Sequence, residues 1–176
     1  MFKEKINNTF QILANAGITR NFLYSKAETP NSFNIPIDEI VKKLDIKVEK
    51  IKDLKDEKYG FLISGVSCAK KRLIKINSSE IEQRQLFTFG HELYHILNNQ
   101  SMNRDDNAGY EDKVANGFSA EFLMPYEYLL KVYCKKNGNL NAVADYFKVS
   151  VQALGYKLLN DGIVSALWNI KKLKIY

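Results

Sequence analysis

The stretch FTFGHELYHIL, residues 87–97, contains both histidines of the chain with a glutamate between them. Residues four apart lie on one face of a helix, so His91 and His95 can present two imidazole nitrogens to a single zinc ion. Glu92 lies further round the helix, where it is no natural ligand but can reach a water molecule on the metal. A glutamate there can act as general base when water attacks a peptide carbonyl. The spacing predicts zinc-dependent hydrolysis, and the alternative is two ordinary histidines on an amphipathic helix.

A catalytic zinc site usually has a third protein ligand, and the chain has no third histidine to supply it. Cys68 and Cys134 lie far apart and form no CxxC pair, so a carboxylate is the better candidate. In EDKVANGFSAEFLMP, residues 111–125, Asp112 can bind zinc while Asn116, four residues on, hydrogen-bonds a ligand histidine. Glu111 points elsewhere on the helix, but its longer side chain keeps it as an alternate third ligand. Asp112 could instead be a carboxylate that only complements the helix dipole.

The elements before the histidines must position them, and their pattern predicts a small antiparallel sheet. Apolar residues alternate over residues 46–51, which indicates a first strand. YGFLISGV (59–66) and RLIKIN (72–77) read as two further strands, and SCAKK (67–71) between them as the loop of a hairpin.

Helices are predicted on both sides of this sheet. Apolar spacing indicates helices at the start of the chain, with Gly17 as the stop, and over residues 37–44. Ser79 and Glu82 fit a capping box for the histidine helix, which should end near Asn98. Gly90 in that helix could leave room for a strand or for substrate. A further helix should run from about residue 111 to residue 124, before Pro125.

Length and composition are those of a globular protein with one domain, or one domain and a small appendage. The chain has 176 residues, of which 45% are hydrophobic and 26% charged. The net charge of +6 permits attraction to nucleic acid without demonstrating it. MFKEKINNTF has no apolar signal-peptide core, and no apolar run is long enough to span a membrane. Two separate cysteines suit free thiols in a reducing cytosol, so we expect a cytoplasmic protein.

FTFGHELYHIL followed by VANGFSAEFLMP resembles the ImmA/IrrE family of metallopeptidases. Members typically have a phenylalanine-threonine lead-in to HExxH, and then a helix of pattern E-x-x-A-N-x-F-A-x-x-L-L-M-P. The resemblance covers about residues 35–160. It implies that His91, His95 and Asp112 bind Zn²⁺ and that Glu92 is catalytic. Asp112 departs from the glutamate that the family usually has there, which leaves Glu111 open as the third ligand.

The resemblance also implies a fold and a function. The expected fold is α+β, with the small antiparallel sheet packed against a zincin-type HExxH helix and a mostly helical C-terminal part. The expected activity is that of a zinc endopeptidase which cleaves a helix-turn-helix repressor and so derepresses a mobile element or a stress response. The alternative is a weak or inactive peptidase-fold module that regulates by binding a protein partner or DNA. Candidates for stabilising the oxyanion are Tyr94, Tyr110 and Tyr126.

Residues 139–162 predict two short helices, with Ser150 as cap of the second. This segment resembles a helix-turn-helix, which members of the family commonly carry here. The expected division is a peptidase-like domain over residues 1–128 and a helical segment over residues 129–176, in which Trp168 anchors the core. The candidates for reading bases are Gln152, Tyr156 and Lys157. The alternative is a helix pair that packs beside the peptidase core or holds the substrate.

Overall fold

Helices surround a small sheet in the computed structural model, which describes residues 1–100 and 108–164. The predicted α+β class is confirmed, whereas Trp168 lies outside the described residues. In chain order the elements are α1 (Phe2–Asn15), α2 (Arg20–Ala27), α3 (Ile37–Lys43), β1 (Lys47–Ile51), β2 (Gly65–Cys68), β3 (Leu73–Asn77), α4 (Glu82–Leu97), α5 (Ala108–Leu123), α6 (Tyr126–Lys135), α7 (Leu140–Phe147) and α8 (Val151–Asn160). No helix among the described residues has the length and hydropathy needed to cross a bilayer.

The sheet has the strand order β1-β3-β2 and is mixed, so the prediction of an antiparallel sheet is wrong. β2 and β3 form the predicted antiparallel hairpin, with Gly65 opposite Ile76. β1 runs parallel to β3, with Lys47 opposite Leu73. The connection over residues 52–72 allows this, because parallel pairing needs a crossover of a dozen or more residues.

The second strand begins later than predicted, at Gly65, and it includes Ser67 and Cys68, which were assigned to a loop. Residues 57–59 form an exposed turn that leads into Gly60, whose φ is +72°. The rings of Tyr59 and Phe61 stack on each other, 5.9 Å apart. The exposed apolar residues at this turn therefore produce the same sequence pattern as a strand.

The predicted capping box at Ser79 is wrong. α4 begins at Glu82 with Ile81 as N-cap, and no side chain caps it. Ser79 instead donates its hydroxyl proton to Asp53 Oδ1 at 2.8 Å and accepts the backbone N–H of Asp53 at 3.1 Å. It thus ties the entry into α4 to the turn that follows β1.

α4 lies between the sheet and α5. Gly90 of α4 allows α5 to approach closely, because it has no side chain. β2 and β3 contact one side of α4. A Cβ atom on Gly90 would lie 2.6 Å from Ser119 Oγ and 3.2 Å from Ser119 Cα. The space beside Gly90 is therefore taken by α5, not by the strand or substrate that the sequence suggested.

We expect Gly90→Ala to lower the free energy of unfolding by about 1–3 kcal/mol, the usual range for overpacking a core. Gly155→Ala is the matched control, because Gly155 is also helical and has no atom within 4 Å of its added Cβ. That control should be neutral or stabilising by up to about 1 kcal/mol. Urea unfolding of both variants measures the difference, and equal midpoints would contradict the close contact of α4 with α5.

α7 and α8 pack into the same hydrophobic core as the sheet and α4, and Ser150 caps α8 as predicted by accepting the N–H of Ala153. Lys157 departs from the prediction of an exposed base-reading residue, since its side chain is only 6% exposed. Its ammonium contacts Glu121 at 2.7 Å and Asp161 at 2.5 Å. Because Glu121 also pairs with Arg20 at 3.2 Å, this ion network joins α8 to α5 and α2.

We expect Lys157→Met to lower the free energy of unfolding by about 1–3 kcal/mol, because the largely buried Asp161 loses its ammonium partner and Glu121 is left with Arg20. Lys135→Met is the control, since Lys135 lies exposed on α6. Urea unfolding should separate the two variants. Equal stability would mean that the network contributes nothing to docking α8.

Candidate metal centre

The histidines of α4 and one aspartate of α5 bring three donor atoms together. The Nε2 atoms of His91 and His95 are 3.1 Å apart, and Asp112 Oδ1 lies 3.8 Å and 3.6 Å from them respectively. Ligands about 2.0–2.1 Å from a tetrahedral zinc ion are about 3.3–3.4 Å from one another. The observed triangle is close to that size, so these residues fit a zinc ion.

Each histidine has a hydrogen-bond partner at its other ring nitrogen. Asn116 Oδ1 lies 2.9 Å from His91 Nδ1, which is the contact that the sequence predicted. Gln100 Oε1 lies 2.7 Å from His95 Nδ1, and the sequence prediction missed this residue. Partners of this kind orient a histidine and leave Nε2 unprotonated, facing the metal. These contacts therefore favour, in each neutral histidine, the tautomer that metal binding needs.

Glu111, the alternate ligand of the sequence analysis, has other partners. It accepts hydrogen bonds from Lys5, from the Tyr94 hydroxyl at 2.7 Å and from Gln100 Nε2 at 2.6 Å. Burial raises the pKa of the Glu111 carboxyl, but these three donors outweigh burial and hold its pKa below the ordinary value. Asp112, whose side chain is 59% exposed, is the carboxylate that lies beside the histidines.

Glu92 of α4 is nearly buried, and its side chain contacts β2. Ser67 donates a hydrogen bond to Glu92 Oε2 at 2.7 Å. Burial raises the pKa of the Glu92 carboxyl, while the Ser67 hydrogen bond and nearby His95 lower it and Asp112 raises it, with a net upward shift. β2 can approach because a Cβ on Gly65 would lie 2.3 Å from Thr88 Cγ2, so only glycine fits there. A carboxylate with a raised pKa beside a metal site is suited to accept a proton.

Comparison with models of known families identifies the family of the chain. The model of the IrrE N-terminal-like domain, a peptidase family, matches residues 41–159. The chain belongs to this family. The predicted resemblance is confirmed. The matched region contains α4 and α5, and with them the donor triangle and Glu92.

A solved structure is similar to the chain in fold. It is a Mycobacterium tuberculosis transcriptional regulator with a TM-score of 0.59 and 12% sequence identity. The match covers 88% of this chain and 46% of the regulator, so the chain spans less than half the length of that protein. No curated protein matches the chain.

An open cleft of about 1990 Å³ runs past the candidate metal centre of this IrrE N-terminal-like domain. His91, Glu92 and Asn116 line one part of the cleft, and Gln152 and Tyr156 of α8 line another. Sites for drug-sized ligands are usually about 300–1,000 Å³. The cleft therefore has room for a polypeptide segment.

The three candidate tyrosines occupy different positions. The hydroxyl of Tyr94 donates to Glu111, and burial raises the pKa of Tyr94 above its ordinary value. The hydroxyl of Tyr110 is buried and has no hydrogen-bond partner within the described residues. Tyr126 is 43% exposed and lines the cleft. Of the three, Tyr126 is the one whose position suits contact with a substrate.

Ser67, Gln100 and Lys5 are the site residues that the sequence prediction missed. Ser67 reaches Glu92 from β2, Gln100 reaches His95 from just beyond α4, and Lys5 reaches Glu111 from α1. None of them belongs to the two motifs, and serine, glutamine and lysine at these positions carry no spacing signal of their own.

Proposed function

We propose that the chain is a zinc-dependent endopeptidase that cleaves a helix-turn-helix transcriptional repressor in the cytoplasm. The observation that carries this proposal is the donor triangle of His91, His95 and Asp112 beside the nearly buried Glu92, with His91 and Glu92 lining a wide cleft. Membership in a peptidase family supports the reaction class. Cleavage would derepress a mobile element or a stress response.

The geometry supports one role for each residue of the site. Zinc, when bound, would polarise the scissile carbonyl and make a water molecule easier to deprotonate. His91, His95 and Asp112 would hold the ion, with Asn116 and Gln100 orienting the two histidines. Glu92 would accept a proton from the attacking water and pass it to the leaving amine. Ser67 would hold the orientation of the Glu92 carboxylate through its 2.7 Å hydrogen bond.

The cleft supports a protein substrate over a small one, because its volume of about 1990 Å³ exceeds that of ordinary small-molecule sites. The part of α8 that lines it includes exposed Gln152 and Tyr156. We propose that the helical segment after residue 128 holds the substrate against the metal centre. We favour this role of α7 and α8 over recognition of DNA bases, because the Lys157 ammonium is buried and paired with carboxylates.

The first test is zinc content. Elemental analysis of protein purified without chelator should give about one zinc ion per chain. The repressor encoded nearest the gene should then be cut, and a chelator should stop the cutting until zinc is restored. A zinc content near zero, with no uptake of added zinc, would contradict the peptidase function.

A second candidate function is regulation by binding a protein partner or DNA without cleavage. Asp112 supports it, because this carboxylate is shorter than the glutamate usual in the family and is 59% exposed. A pull-down with zinc-free protein discriminates the two functions. Binding and full regulatory activity without zinc would favour the binding module, whereas loss of regulation in cells on removal of the metal would exclude it.

A further inference from the structure

We propose that α1, which lies outside the matched family region, supports the metal centre: Lys5 acts through Glu111 and Gln100 to hold the ring of His95. The contacts run without a gap from Lys5 to Glu111, from Glu111 to Gln100, and from Gln100 to His95. Lys5, Glu111 and Gln100 are positioning residues, since none is a member of the donor triangle. This inference rests on the proposed zinc site.

The first step is the orientation of the Gln100 amide. Glu111 is a carboxylate, so it accepts hydrogen bonds and donates none. The atom of Gln100 that faces Glu111 at 2.6 Å must therefore be the Nε2 donor. The amide oxygen Oε1 is then turned towards His95, at 2.7 Å from Nδ1.

The second step is the tautomer of His95. Because Gln100 Oε1 can only accept, His95 Nδ1 must carry a proton, and in the neutral ring Nε2 then carries the lone pair. Nε2 lies 3.1 Å from His91 Nε2 and 3.6 Å from Asp112 Oδ1. The carboxylate of Glu111 orients the Gln100 amide, and the amide in turn favours the His95 tautomer whose Nε2 lone pair points into the donor triangle.

The third step is the position of Glu111, which depends on α1. The Lys5 ammonium supplies the cation that pairs with Glu111. α1 itself is anchored beside the site, since Thr9 Oγ1 accepts a hydrogen bond from Asn98 at 3.1 Å and the ring of Phe2 covers Gly117. Replacing Lys5 should therefore weaken zinc binding, although Lys5 contacts none of the proposed metal ligands.

Zinc affinity and the tautomer of His95 are the two measurements that test this network. Gln100→Leu should weaken zinc binding by about 10–100-fold, as loss of an outer hydrogen-bond partner of a metal ligand usually does. Lys5→Met should weaken it by roughly 10-fold, the lower end of that range. Lys5→Arg, which keeps the cation, should restore most of the affinity. Lys3→Met is the matched control, because Lys3 lies exposed on the same helix and loses the same charge.

The second measurement uses zinc-free protein. Nitrogen NMR of the two histidines should show His95 with its proton on Nδ1 in the parent chain, and a shift towards the Nε2–H tautomer in Gln100→Leu and Lys5→Met. A purely structural role for Lys5 would leave this signature unchanged. Circular dichroism verifies that each variant is folded before either measurement is compared.

The outcomes separate this inference from the proposed function. If the parent chain binds zinc and Lys5→Met matches Lys3→Met in both measurements, the inference is overturned and the zinc site stands. Weaker zinc binding with an unchanged tautomer overturns it as well. If the parent chain binds no zinc, the proposed function fails, and an unchanged tautomer in zinc-free Lys5→Met would independently overturn the network.

Discussion

Glu92→Gln is expected to bind zinc like the parent chain and to cleave its protein substrate about 10²–10⁴-fold more slowly, the usual contribution of a general base. Glutamine keeps the shape of the side chain and can still accept the 2.7 Å hydrogen bond from Ser67, but it cannot take a proton from water. Burial raises the pKa of the Glu92 carboxyl, which makes it a better proton acceptor than an exposed glutamate. Single-turnover kinetics with the proposed repressor substrate measure the cleavage rate, and elemental analysis of the same sample measures zinc binding.

Glu80→Gln is the matched control for this loss. Glu80 lines the same cleft, accepts a hydrogen bond from the Ser64 hydroxyl at 3.3 Å, and undergoes the identical chemical change. It should cleave at nearly the parental rate. Cleavage by Glu92→Gln at the parental rate, or an equal loss in both variants, would remove Glu92 from the reaction.

The local part of the site was predictable because helical periodicity alone determines it. His91 and His95 share a helix face, and so do Asp112 and Asn116; each pair could be read from a spacing of four residues. The predicted contact of Asn116 with a ligand histidine is present, and the histidine is His91, at 2.9 Å. What the spacing could not decide is which of two adjacent carboxylates turns towards the histidines, since that depends on how α5 is rotated against α4.

The supporting residues were not predictable because they come from tertiary contacts. Ser67 lies 25 residues from Glu92 in sequence, and Lys5 lies 106 residues from Glu111. The same limit explains the errors in the sheet. β1 pairs with β3 in parallel rather than antiparallel, and Ser79 bonds to Asp53 rather than to the first turn of α4. Local patterns identify elements, but the partner that a polar group finds depends on the whole fold.

Asp112→Ala is expected to weaken zinc binding by more than about 100-fold, beyond the upper end of the loss caused by removing an outer partner of a ligand. The reason is that Asp112 Oδ1 closes the donor triangle, at 3.8 Å from His91 Nε2 and 3.6 Å from His95 Nε2. Asp112→Glu, which introduces the residue usual in the family, should keep zinc binding within about 10-fold of the parent, because one methylene adds reach without removing the ligand. Competition with a chromophoric zinc chelator measures these affinities.

Two comparisons decide whether Asp112 or Glu111 is the third ligand. Asp38→Ala removes an exposed carboxylate from the first turn of α3, so it controls for the change in net charge and should leave zinc affinity unchanged. Glu111→Gln removes the negative charge and one of the two oxygens that accept from Lys5, Tyr94 and Gln100, and it should weaken zinc binding less than Asp112→Ala does. The reverse order would mean that Glu111 leaves its three partners to bind the metal. Asp112 would then be an exposed carboxylate beside the histidines, and the network from α1 would have to break whenever zinc binds.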